Sequence, residues 1–199
     1  MNIDLEHLHF WMQAIRSSQD PMRTMDAFWQ GQLRSKEWLI NNLIRHVDRP
    51  VSIDIHGGWV GVLASLMFQS QLGPMIKHIR SIDIDSSCES IAKLMNRKEE
   101  IEGRFSAITS DMCGCLTEAD IVVNTSCEHI TQEQYVTWID QVPKASLLVL
   151  QSNNYNIPEH VRTSDSLEAF KDQCKIKVVW AEELELPLYK RFMLIGYKI

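Results

Sequence analysis

The sequence predicts an α/β fold: a doubly wound, mostly parallel sheet with a terminal antiparallel hairpin and an N-terminal helical layer. Three observations predict it. Before Pro50 apolar residues recur at helical spacings, and after Pro50 short β-rich runs alternate with helical stretches. The last two strand-like runs have no helix between them, so they pair as a hairpin at one edge.

Residues 5–15 place Leu5, Leu8, Phe10, Trp11, Met12 and Ile15 roughly along one helical face. Asp20-Pro21 ends that helix and starts the next, since proline fits a first helical turn. Residues 23–46 carry Phe28, Trp29, Leu33, Leu39 and Leu43 at helical spacings and read as one second helix, with Gly31 marking a kink or close contact. Beyond Pro50, residues 51–55 read as a buried strand, followed by a glycine turn and a helix over 60–69. Further strands are expected at 79–84, 105–108, 121–123 and 147–150, with helices at 87–95, 133–141 and 166–174. Asp85 or Ser86 caps the helix at 87–95. The closing strands are 176–180 and 192–197. The expected division is a helical lid over residues 1–49 and a sheet domain over 50–199.

The chain has 199 residues, enough for a single buried core, and its 45% hydrophobic content excludes global disorder. No apolar run reaches the ~18 residues of a membrane span. The first ten residues have neither a basic nor an apolar signal region, so the cytoplasm is the expected compartment. Five cysteines, an odd number, fit a reducing environment. The net charge of −6 argues against nucleic acid and for a small-molecule partner, with a homodimer left open.

In such a sheet, ligands bind beyond the carboxyl ends of the strands. After the first strand comes Asp54-Ile55-His56-Gly57-Gly58-Trp59-Val60-Gly61, whose glycines allow a tight turn and a close approach by a ligand. The second strand ends at Asp83-Ile84-Asp85, where a carboxylate can accept from ribose hydroxyls or simply cap the next helix. Asp111-Met112 follows the third strand and Asn124 the fourth. A glycine turn, an acid, an acid and an amide at successive strand ends form a set of polar groups suited to a nucleoside.

This order of motifs, over roughly residues 50–199, resembles the class I S-adenosylmethionine-dependent methyltransferases, which share a Rossmann-like sheet and a terminal antiparallel hairpin. The resemblance implies S-adenosylmethionine as cofactor. Gly57, Gly58 and Gly61 would lie against its methionine part, with Asp54 near its amino end. Asp83 would hold the ribose, Ile84 would pack on the adenine, and Asp111 would receive the adenine amino group beside the Met112 backbone. Asn124 would face the sulfonium and the incoming substrate. His56 and Val60 stand where the family has glycines, so the loop departs from the usual path at Val60, and Trp59 becomes a wall over the ligand.

Asn124, Glu128 and His129 are the catalytic candidates, because a carboxylate or imidazole at a strand end can take a proton from an amine or hydroxyl. Asn153, Asn154 and Tyr155 open the long polar connection and are substrate-contact candidates, as is Trp11 from the helical layer. Cys113, Cys115, Cys127 and His129 lack common zinc spacing, and no metal is assigned. The expected activity is in-line methyl transfer to a small-molecule amine or hydroxyl. Two alternatives stay open: S-adenosylmethionine used for non-methyl chemistry (aminocarboxypropyl transfer, cyclisation or lyase), and a non-catalytic nucleoside-binding interaction module.

Overall fold

Residues 4–199 are described by a computed structural model, which divides into two compact units, Met1–Asp111 and Met112–Ile199. The expected boundary near Pro50 does not coincide with this division: the N-terminal helices belong to the same unit as the first three strands.

The first unit opens with helices α1 (Leu5–Ser17), α2 (Pro21–Asp26) and α3 (Gln30–Leu43). Asp4 and Asp20 cap α1 and α2 by accepting from Glu6 and Arg23 backbone N–H groups. The single helix expected over 23–46 is broken, because Trp29 is extended at ψ 144°. The break buries Ala27 completely while Trp29 turns outward, 70% exposed. Gly31 therefore sits in the first turn of α3 rather than at a kink. Strands β1 (Val51–His56), β2 (Ile76–Asp83) and β3 (Phe105–Thr109) pair in parallel in the order β3-β2-β1. Helices α4 (Val62–Phe68), α5 (Ser86–Met95) and α6 (Arg97–Ile101) complete the unit. Ile53, Ile55, Ile79 and Ile82 supply its buried centre.

The helical layer is fastened to this unit by polar contacts as well as packing. The Trp11 indole N–H donates to Ser65 Oγ at 2.9 Å, and His7 Nε2 meets Glu99 Oε1 at 2.8 Å, both in buried surroundings. Buried polar groups are costly unless paired, so these contacts specify where α1 lies.

The second unit contains β4 (Ile121–Asn124), α7 (Gln132–Gln141), β5 (Leu147–Asn153), α8 (Leu167–Cys174), β6 (Lys177–Glu185) and β7 (Lys190–Tyr197). Its strand order is β4-β5-β7-β6, with β4 parallel to β5 and β7 antiparallel to both neighbours. The expected hairpin is thus present, and β6 forms its outer edge, where Glu182, Glu183 and Glu185 discourage further strand pairing. Tyr135, Trp138, Phe170 and Phe192 pack with Val122, Leu148 and Leu150 as the core. Thr131 and Gln134 form a reciprocal capping box at the start of α7.

Candidate functional site

In the first unit the polar groups gather at the carboxyl ends of β1 and β2. The turn between β1 and α4 contains three left-handed residues: Gly57 (φ 67°), Trp59 (φ 48°) and Gly61 (φ 80°). Val60 escapes the strained conformation and Trp59 takes it instead. A non-glycine residue there costs ~1–3 kcal/mol and needs compensation from its surroundings. Trp59 N–H supplies it by donating to Asp83 Oδ2 at 2.7 Å, while Asp85 N–H donates to Asp83 Oδ1 at 3.0 Å. Asp83 therefore ties the glycine turn to the end of β2, and each oxygen retains a lone pair for a further donor.

Two glycines in this turn are required by close packing. A Cβ on Gly58 would lie 2.0 Å from Ser81 Oγ. On Gly61 it would lie 2.7 Å from Asn96 Nδ2 and 3.1 Å from Ala92, where α4 meets α5. The Gly61→Ala protein is expected to lose about 2–3 kcal/mol in urea unfolding, from φ strain and overpacking together. Gly103→Ala has the same strain (φ +72°) with no atom within 4 Å, and should lose less. Equal losses would refute the packing contribution.

Trp59 also borders a cavity of about 310 Å³ in this unit, whose lining includes Asp20, Arg23, Thr24, Ser87 and Cys88. That volume is at the lower end of small-molecule sites. The buried indole Nε1 of Trp59 has no hydrogen-bond acceptor among the described residues. Arg23 closes one side through a 2.7 Å ion pair with Asp85. Asp85 caps α5, and the Ser87 hydroxyl and N–H with Arg23 hold its carboxyl down at about 2.

The other predicted residues of this unit are placed differently. Ile84 lies beside Asp83 and is 73% exposed, an apolar surface available to a flat ring. Asp111 follows β3 on the surface. Asp54 is 5% exposed and gripped by Arg80, whose Nε donates to Oδ1 at 3.0 Å and whose guanidinium also bonds Oδ2. It is therefore spent on an internal ion pair rather than presented to a ligand amine. His56, at the end of β1, is fully buried and exposes no side-chain surface. Trp11, expected to reach substrate, is 5% exposed and committed to Ser65 and the Phe28 ring. It serves as core.

In the second unit the predicted residues converge beyond β4 and β5. Asn124 is completely buried, accepting from Ser126 N–H at 2.9 Å and donating to Met112 Sδ at 3.6 Å. It shapes the turn after β4. Glu128, 3% exposed, accepts at Oε1 from Asn153 Nδ2 at 2.6 Å and from Arg191 at 3.3 Å. Asn153 belongs to β5 and not to a loop, because β5 continues through buried Gln151 and Ser152. Asn154 is used structurally, exchanging hydrogen bonds with the Lys190 backbone. Tyr155 stacks near Tyr189 and is partly exposed. Cys127, next to Glu128 in the chain, is fully buried, and burial raises its thiol well above the usual range, so it remains a neutral thiol.

Three residues of this cluster were not singled out by the sequence: His160, Arg162 and Arg191. Arg191 sits in the apolar run of β7, and a lone arginine inside a buried strand is the signal that could have found it. Arg162 is buried over the Tyr135 ring at 4.2 Å and donates to Gln132 Oε1 at 2.7 Å. No local pattern marks His160.

No family model matches the sequence, and no curated protein matches it. Solved structures do match in fold. Magnesium protoporphyrin IX methyltransferase from Synechocystis PCC 6803 with bound SAH is 12% identical, with a TM-score of 0.67 over 98% of this chain and 94% of that one. The N-methyltransferase NodS from Bradyrhizobium japonicum WM9, in complex with S-adenosyl-L-homocysteine, is 12% identical, with a TM-score of 0.64 over 95% of this chain and 98% of that one. A tRNA methyltransferase from B. subtilis, also 12% identical, gives a TM-score of 0.60 over 80% of this chain and 65% of that one. The Rossmann-like fold expected from the sequence is the fold these proteins have.

Proposed function

We propose that the protein binds S-adenosylmethionine and transfers its methyl group to a small-molecule amine or hydroxyl. The observation that carries this reading is the β1–α4 turn drawn onto Asp83. It places Gly57 and Gly58, an acid with remaining acceptor capacity and the exposed Ile84 at adjoining strand ends. That arrangement suits a ribose with a flat base beside it. Methyl transfer from a sulfonium needs the nucleophile oriented and stripped of water more than it needs a strong base. Asn124 keeps the turn after β4 in place, while Glu128 and His129 offer a carboxylate and an imidazole near it. The acidic net charge favours a small acceptor over tRNA.

Titration calorimetry should show micromolar binding of S-adenosylmethionine and S-adenosylhomocysteine without binding of NAD. Asp83→Ala should weaken both by about tenfold or more, since it removes two charge-assisted acceptors and frees Trp59. No binding of either sulfur ligand to the wild type would overturn the reading.

A second reading rests on the altered turn, in which Trp59 takes a left-handed position. A displaced cofactor would offer its aminocarboxypropyl carbon to the nucleophile, with methylthioadenosine as the leaving group. Product analysis separates the two, since methyl transfer leaves S-adenosylhomocysteine.

A further inference from the structure

We propose that Glu128, His129 and His160 form a binding site for a divalent transition-metal ion. One ligand atom from each lies within 4.8 Å of the other two. Such proximity alone is common among polar side chains, but three further features distinguish this group.

The first is the state of the carboxylate. Oε1 of Glu128 is engaged by Asn153 and Arg191, whereas Oε2 is buried and has no hydrogen-bond partner among the described residues. A buried carboxylate oxygen left without a donor is costly, and a cation is the partner that best relieves it. The Asn153 and Arg191 bonds fix the rotation of the carboxylate, as supporting residues do around metal ligands. Arg191 opposes a second cation nearby, but it bonds the other oxygen and also spends its donors on Gln151 and Thr125.

The second is the orientation of the imidazoles. His129 Nδ1 lies 3.1 Å from the Glu159 carbonyl, and His160 Nδ1 lies 2.6 Å from the Tyr155 carbonyl. A carbonyl can only accept, so each Nδ1 carries the proton and each Nε2 is left with its lone pair. A backbone carbonyl on the far nitrogen is the usual arrangement for a metal-binding histidine. The two rings meet edge to face with centroids 4.7 Å apart.

The third is that the loop bearing His160 is fastened to the segment bearing the other two. Val161 N–H and Arg162 N–H both donate to the Glu128 carbonyl, at 2.9 and 3.1 Å. The donor set is therefore assembled by the backbone before any ion arrives.

Two imidazoles and one carboxylate suit zinc, iron(II), cobalt(II) and related ions, and are a poor set for magnesium or calcium. Three protein ligands leave coordination positions open, so the ion can also take an oxygen from a bound molecule. In the methyl-transfer reading that oxygen would be the acceptor's, a role that rests on that reading; metal binding itself does not.

The test is metal binding by the full chain, without substrate or cofactor. Calorimetry with Zn²⁺ should give one equivalent bound at micromolar affinity or better, unaffected by excess Mg²⁺. Co²⁺ should give visible d–d absorption at the same stoichiometry. His129→Ala and His160→Ala should each weaken binding by about tenfold or more. Both side chains are at least partly exposed, so the metal-free variants should melt within about 2 °C of wild type. Absence of binding, or binding that survives both substitutions, for instance on the partly exposed Cys113 and Cys115, would overturn the proposal.

Discussion

Replacing Arg191 with Met is expected to destabilise the protein by about 3–5 kcal/mol, the largest loss from any single polar substitution considered. Arg191 is 5% exposed and sits in β7 among fully buried apolar residues. Its Nε donates to Gln151 Oε1 at 3.0 Å, one terminal nitrogen lies 3.3 Å from Glu128 Oε1, and the other donates to the Thr125 carbonyl. Methionine fills much of the volume but leaves the buried Glu128 carboxyl without its cationic partner. Removing one member of a buried pair costs more than removing both, because the remaining charge keeps its desolvation penalty. The double substitution Arg191→Met with Glu128→Gln should therefore recover part of the loss. Urea unfolding midpoints for the two single variants and the double variant test this as a cycle. A loss below about 1 kcal/mol for Arg191→Met, or an additive double variant, would mean that Arg191 is not Glu128's main support.

Much of the fold was legible because burial imposes a period on the sequence. The isoleucine and valine runs of β1, β2 and β4 read as strands, and the helical face read over residues 5–15 falls within α1. Helix α6 was missed because its residues, Arg97-Lys98-Glu99-Glu100-Ile101, present almost no apolar period. The ends of β5 and β6 were missed for a related reason. Gln151, Ser152 and Asn153 look like loop residues, yet they are buried in a strand: β7 pairs with their backbone, and the side chains of Gln151 and Asn153 are engaged by Arg191 and Glu128. In the first unit, the meeting of the glycine turn with the end of β2 was legible, because Gly58 and Asp83 lie next to strand ends. Asp54 was read as a ligand contact, whereas Arg80, 26 residues away, engages it in an ion pair. Glu128 and His129 are adjacent and drew attention together. His160 and Arg191 reach the same cluster from a later loop and strand, a convergence that no local pattern encodes.

Acidification provides a test of the first unit. His56 is fully buried in β1, and desolvation lowers its pKa from 6.5 to about 4, with the nearby Asp54 carboxylate opposing and the Arg80 guanidinium reinforcing the shift. The neutral imidazole is thus the native form. Above pH 6.5 neither the folded nor the unfolded chain protonates this residue, and it adds no pH dependence. Below pH 6.5 the unfolded chain takes up the proton while the folded protein resists it until about pH 4. Stability is therefore lost as pH falls through that window, by at most about 3 kcal/mol from His56. His78, shifted down by burial and set against the same Asp54–Arg80 pair, adds to the loss in the same direction. Paired carboxylates such as Asp85, held at about 2, lose their contribution mainly below pH 4 and so leave most of the window to the histidines. His56→Asn cannot charge, so its unfolding free energy should decline less steeply between pH 6.5 and 4, even though it starts lower from imperfect packing. The informative quantity is the difference in slope between wild type and variant in denaturant titrations at several pH values. Parallel slopes would show that His56 protonates without penalty in the folded state, and the strand end beneath the glycine turn would then have to be open to water.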